Sequence, residues 1–121
     1  MTKQGKTVII RPQNGPFFNS NPLSYRIEYS PEVYEHLRAL TARQQAVVLN
    51  AAERRLAHQP TVETRNRKPM RPNPLAPWEL RVGPLRVYYD VEEKPEPVVL
   101  IRAIGIKKRN QIRIGKEKIT L

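Results

Sequence analysis

A chain of 121 residues fits one small domain with one core, and its 39% hydrophobic content is enough to fold without metal or disulfide staples. It has no cysteine and two histidines, which excludes thiolate metal sites, cysteine nucleophiles and disulfides and leaves too few imidazoles for most zinc sites. The formal charge of +11 creates a field that attracts polyanions, nucleic acid above all.

That charge is concentrated. Arg65, Arg67, Lys68, Arg71, Arg81 and Arg86 stand against one acid, Glu79, and the segment from Pro97 onward sets Arg102, Lys107, Lys108, Arg109, Arg113, Lys116 and Lys118 against Glu117 alone. No apolar run approaches a membrane span, and Val8-Ile9-Ile10 is too short for the core of a signal peptide. No segment joins a broad apolar face to the charge, so the expectation is a cytoplasmic protein that does not engage a membrane.

Residues 1–23 carry Pro12, Gly15, Pro16 and Pro22 and read as an irregular N-terminal arm, with a short strand at Thr7–Arg11 and Phe17 and Phe18 as anchors to the domain. Residues 24–121 form the domain. Tyr25 to Tyr29 alternates as a strand and runs directly into a helix start, where Ser30 is placed to cap, Pro31 fits the first helical position and Glu32 favours the positive dipole end. Val33, Leu37 and Leu40 form one apolar stripe. Thr41 and Gln44 make a capping box that opens a second helix, buried through Val48, Leu49, Ala52 and Leu56 and ended by Pro60. His36 falls on the first helix and His58 in the last turn of the second, both read as structural.

Thr61 to Pro77 is a Pro-rich basic loop, expected to lie beside the next element without pairing as a strand or entering the core; Arg65, Arg67, Lys68 and Arg71 are its candidate RNA contacts. Trp78 to Asp90 reads as a hairpin turning at Gly83-Pro84. Trp78, Leu80, Val82, Leu85, Val87 and Tyr89 share one face; Glu79, Arg81, Arg86, Tyr88 and Asp90 share the other. With a two-residue loop Arg81 sits opposite Arg86, a like-charged pair that costs stability unless the side chains splay into solvent or hold an anion. After an acidic turn at Glu92–Pro97, Val98–Ile106 is an apolar run suited to a central strand, interrupted only by Arg102. Gln111–Leu121 alternates around Gly115-Lys116 as a terminal hairpin. The pattern predicts an α+β domain, an N-terminal helical hairpin packed on a mainly antiparallel sheet of about four strands.

No Ser-His-Asp arrangement, carboxylate pair or phosphate-cradling glycine loop has a spacing argument behind it. What remains is a basic sheet. Arginine and lysine stabilise charge on a phosphorane-like transition state, and RNA supplies its own nucleophile in the 2′-hydroxyl, so neither metal nor cofactor is required. A sheet that only binds RNA has the same composition.

The order strand, two helices, basic loop, WELRVGPLRVYYDV, then VVLIRAIGIKK resembles the RelE/ParE toxin superfamily of bacterial toxin–antitoxin modules over residues 24–110. The resemblance implies a microbial-ribonuclease-like domain, an antitoxin partner that wraps the sheet and helices and, for RelE-like members, cleavage of mRNA in the ribosomal A site; ParE-like members instead inhibit DNA gyrase. Carried across, Arg86 matches the arginine after the hairpin turn that contacts the scissile phosphate. Arg81 falls near the position of a catalytic lysine, Glu79 stands where another basic residue is expected, and Lys107 or Lys108 matches the basic residue after Gly105. The family's C-terminal catalytic tyrosine has no counterpart in Gln111–Leu121.

The resulting expectation is a cytoplasmic mRNA endoribonuclease toxin with Arg86, Arg81, Lys107 and Lys108 at the catalytic site and Arg65, Arg67, Lys68, Arg71 and Arg109 on RNA. The expected partners are an acidic or amphipathic antitoxin, the ribosome and mRNA. The alternatives are a non-nuclease inhibitor of gyrase or a decayed RNA-binding relative.

Overall fold

The computed structural model describes residues 24–120. The N-terminal arm, its strand and its Phe17–Phe18 anchor lie outside them. The described chain runs β1 (Arg26–Tyr29), α1 (Glu32–Arg38), α2 (Ala42–Arg55), β2 (Arg67–Pro69), β3 (Trp78–Val82), β4 (Leu85–Glu92), β5 (Val98–Lys108), β6 (Gln111–Ile114) and β7 (Glu117–Ile119). The strands form one seven-stranded sheet rather than a sheet of about four, in the order β2-β3-β4-β5-β6-β7 with β1 parallel to β5.

Strand β5 organises the sheet, because one edge pairs with β4 while the other is shared end to end by β1 and β6. Along β5 the pairing with β1 stops at Ile101 and the pairing with β6 begins at Gly105, and residues around the first helix fill the interval. Ser30 N–H donates to the Ile101 carbonyl at 2.9 Å, Ser30 Oγ to the Arg102 carbonyl at 3.4 Å, and Ile104 N–H donates to His36 Nδ1 at 3.3 Å. His36 is thus a structural acceptor on a strand edge that has no partner strand there. Ser30 does not cap α1 with its side chain as expected, because that hydroxyl serves β5 instead.

The apolar run of β5 covers both faces through a bulge. Tyr88 pairs with Ala103 but Tyr89 pairs with Ile101, so Arg102 is the extra residue. Ile101 and Ile104 are three apart, and only such a slip lets both face the helices. They join Val33, Val48, Ala52, Leu56, Leu80, Val87, Tyr89 and Val99 in the main core. Helix α1 packs on β5 and α2 on β3 and β4. The capping box forms, with Gln44 N–H donating to Thr41 Oγ1 at 3.1 Å and Thr41 N–H donating to Gln44 Oε1 at 3.0 Å. Helix α2 ends at Arg55, so His58 lies beyond it, bridged to Ser24.

Two expectations about the Thr61–Pro77 loop are corrected. Arg67–Pro69 does pair, antiparallel to β3, since a three-residue edge strand tolerates a proline at its end. The loop also contributes to a second, smaller core on the opposite face of the sheet, where Ala76, with Met70 and Leu75, packs on Tyr88, Ala103, Ile112 and Ile114.

Candidate functional site

The β3–β4 hairpin has the anticipated register: Val82 pairs with Leu85, Arg81 with Arg86 and Glu79 with Tyr88. Gly83 holds φ +59, which glycine adopts without a Cβ penalty. Glu79, Arg81, Arg86 and Tyr88 therefore lie together on the sheet face away from the helices.

Glu79 resolves the like-charge problem from within. Its Oε1 accepts from Arg81 Nε at 3.0 Å and its Oε2 lies 3.9 Å from Arg86 Nε. The arginines are not equivalent: the Arg86 side chain is 12% exposed and that of Arg81 45%. Arg86 is braced at its own turn, donating through Nη1 to the carbonyls of Gly83 at 2.6 Å and Leu85 at 2.9 Å. Its free edge and the exposed Arg81 present a cationic rim around one buried carboxylate, an arrangement suited to holding a phosphate beside a proton acceptor.

Tyr88 was not among the residues singled out by the sequence. Its ring is fully buried and its hydroxyl has no hydrogen-bond partner among the described residues. Burial, and then the charge of the register-neighbour Glu79, push its pKa well above the ordinary tyrosine value, so it is a protonated donor. A signal was present in the strict alternation that put Tyr88 with Arg86. The loop that covers it was not visible.

The remaining candidates separate. Lys107 follows Gly105 by two residues, shares its face with Arg86, and its N–H donates to the Pro84 carbonyl at 2.8 Å, which sets it beside the hairpin turn. Lys108 pairs with Gln111 and alternates to the face opposite Arg86. Among the loop cations, Lys68 sits opposite Glu79 and pairs with Glu63 at 3.3 Å. Arg67 pairs in register with Leu80 on the helix face and donates to the carbonyls of Val62 at 2.8 Å and Arg55 at 2.9 Å, so its guanidinium anchors the loop to the end of α2. Arg65 is exposed in the turn before β2 and Arg109 in the turn after β5, both away from Glu79 in register. Arg71 lines a cleft with Asp90 and Arg102 at the other end of β4.

No helix among the described residues is long and apolar enough to cross a membrane. No protein-family model matches the chain, and no curated protein matches it. Among solved structures, a chain of the toxin–antitoxin complex RelBE2 from Mycobacterium tuberculosis superposes with a TM-score of 0.61 at 22% identity, over 70% of this chain and 93% of that one. Sequence order and three-dimensional architecture thus converge on one answer: two helices on one face of a mainly antiparallel sheet, in a RelE-like fold.

Proposed function

We propose that the chain is the toxin of a toxin–antitoxin pair and that it inhibits translation by cleaving ribosome-bound mRNA at the Glu79–Arg81–Arg86 cluster. The observation that carries this reading is a carboxylate held between two guanidiniums on the sheet face opposite the helices, at 3.0 and 3.9 Å. In the proposed reaction Glu79 takes the proton of a 2′-hydroxyl as its oxygen attacks the adjacent phosphorus. Arg86 and Arg81 neutralise the charge that develops on the phosphoryl oxygens. The P–O5′ bond breaks, Lys107 donates a proton to the departing oxygen, and a 2′,3′-cyclic phosphate and a 5′-hydroxyl result. In this reading Glu79 is the general base, and the donor on β5 is Lys107 rather than Lys108.

The partner is an acidic antitoxin segment that folds on this basic chain, and the site of action is the cytoplasm. The charge of +11 and the assembly named for the structural neighbour support that pairing. The experiment is to induce the chain in cells and map mRNA 5′ ends with and without Arg86→Ala, with gyrase supercoiling assayed in parallel. Cuts that vanish with Arg86→Ala support the reading. Toxicity with intact mRNA and blocked supercoiling transfers the function to gyrase.

A further inference from the structure

Strand β4 carries Arg86, Tyr88 and Asp90 on one face at alternate positions, so Asp90 stands about 13 Å along the strand from Arg86. There the Met70–Pro77 loop and the sheet border an open cleft of about 440 Å³ whose lining includes Arg71, Pro72, Pro74, Leu75, Asp90 and Arg102. The loop is built to hold its shape. Asn73 Oδ1 accepts from the N–H groups of Leu75 at 2.7 Å and Ala76 at 3.1 Å, and Nδ2 donates to the carbonyls of Arg71 at 2.6 Å and Ala76 at 3.0 Å. On the opposite wall the bulge in β5 releases Arg102 from the ladder, a device that re-aims a side chain.

Polar groups in the cleft are incompletely used. Asp90 Oδ1 accepts from Val91 N–H at 2.8 Å, while Oδ2 has no hydrogen-bond partner among the described residues. Neither the Arg71 nor the Arg102 guanidinium has an acid within ion-pair distance among them. We infer that this cleft is a base subsite for single-stranded RNA, selecting a nucleobase that presents an exocyclic amino group. The inference rests on the nuclease reading and extends it to specificity. Proline and leucine walls give an apolar surface against which the face of a base packs. Arginines at the rim suit the phosphates on either side. A carboxylate only accepts hydrogen bonds, so Asp90 favours an amino N–H and disfavours a carbonyl at the same place. Cytosine and uracil have the same outline and differ there by this exchange.

The test is fluorescence anisotropy on the full chain with 2′-O-methyl oligocytidine and oligouridine of equal length, which cannot be cleaved through the 2′ position. The wild-type chain binds the cytidine oligomer roughly tenfold tighter, the equivalent of about 1.4 kcal/mol. Asp90→Asn keeps an oxygen for Val91 N–H and turns its NH2 group into the cleft, so the preference reverses toward uridine. Arg102→Gln weakens both oligomers alike. Equal binding of the two by wild type, a preference unchanged in Asp90→Asn, or indifference to Arg102→Gln overturns the inference. Binding here is independent of cleavage. A cytidine preference with mRNA cuts that survive Arg86→Ala refutes the catalytic assignment alone, whereas Arg86-dependent cuts with no base preference refute the subsite alone.

Discussion

Replacing Glu79 with glutamine removes the one anion that separates Arg81 from Arg86, and the size of the effect follows from the two contacts. The Arg81 contact is short at 3.0 Å, but that side chain is 45% exposed, so screening holds its share below about 1 kcal/mol. Arg86 is 12% exposed and cannot escape into water; stranding a buried charge costs about 3–5 kcal/mol in full. The 3.9 Å spacing and the retained bonds to the Gly83 and Leu85 carbonyls reduce that figure. Together they give a loss of about 2 kcal/mol, or roughly 8–16 °C in Tm for a domain of this size. The assay is thermal denaturation of wild type and Glu79→Gln, each with and without inorganic phosphate. Phosphate recovers more of the melting temperature in the variant, because it takes the place of the lost carboxylate. A variant that melts within about 2 °C of wild type, or that phosphate stabilises no more than wild type, refutes the idea that Glu79 holds the arginines.

Other expectations follow from single positions. A Cβ on Gly105 would lie 2.6 Å from the Arg113 carbonyl oxygen and 2.8 Å from Ile114 Cγ1, and the backbone oxygen is fixed by the β5–β6 ladder. Gly105→Ala therefore costs about 3 kcal/mol by urea denaturation, and a loss under about 1 kcal/mol contradicts the close approach. His36 has its pKa lowered from 6.5 by burial, against the opposing pull of Glu32, Glu117 and Glu35. Its depressed value means that the unfolded chain takes up the proton first, so stability declines as pH falls through about 6.5 and levels off below the folded pKa. His36→Gln flattens that part of the profile; a slope identical to wild type removes His36 as its source. Asn73→Ala cuts four hydrogen bonds to loop backbone groups, costs about 1–3 kcal/mol, and speeds amide exchange at Leu75 and Ala76; unchanged exchange there rules out Asn73 as the keystone.

Local signals carried far. Alternation and a glycine turn were enough to place Arg81 against Arg86, and the Thr41–Gln44 pair marked the start of α2, because both depend on residues no more than five apart in sequence. What escaped depends on partners distant in sequence. Arg102 interrupts an apolar run whether it is a solvated residue or a bulge, and only the slip between Tyr88 and Tyr89 distinguishes them. Arg67 has the chemistry of an RNA contact, yet the Arg55 and Val62 carbonyls claim its guanidinium. Tyr88 belonged to the polar face by its parity but is sealed by a loop that composition marks only as polar and irregular. The terminal hairpin was legible as β6 and β7, but its alternation does not show that it extends the edge of β5, and β2 was missed because three residues are too few to show a period.

The most direct test of the central claim is to add the purified chain to a translation extract and determine the chemistry of the RNA ends. Cleavage at the Glu79–Arg81–Arg86 cluster leaves a 2′,3′-cyclic phosphate and a 5′-hydroxyl, disappears when the nucleotide 5′ to the cut lacks its 2′-hydroxyl, and is lost in both Arg86→Ala and Glu79→Gln. Intact mRNA, 3′-hydroxyl products, or cleavage that survives either substitution would contradict it.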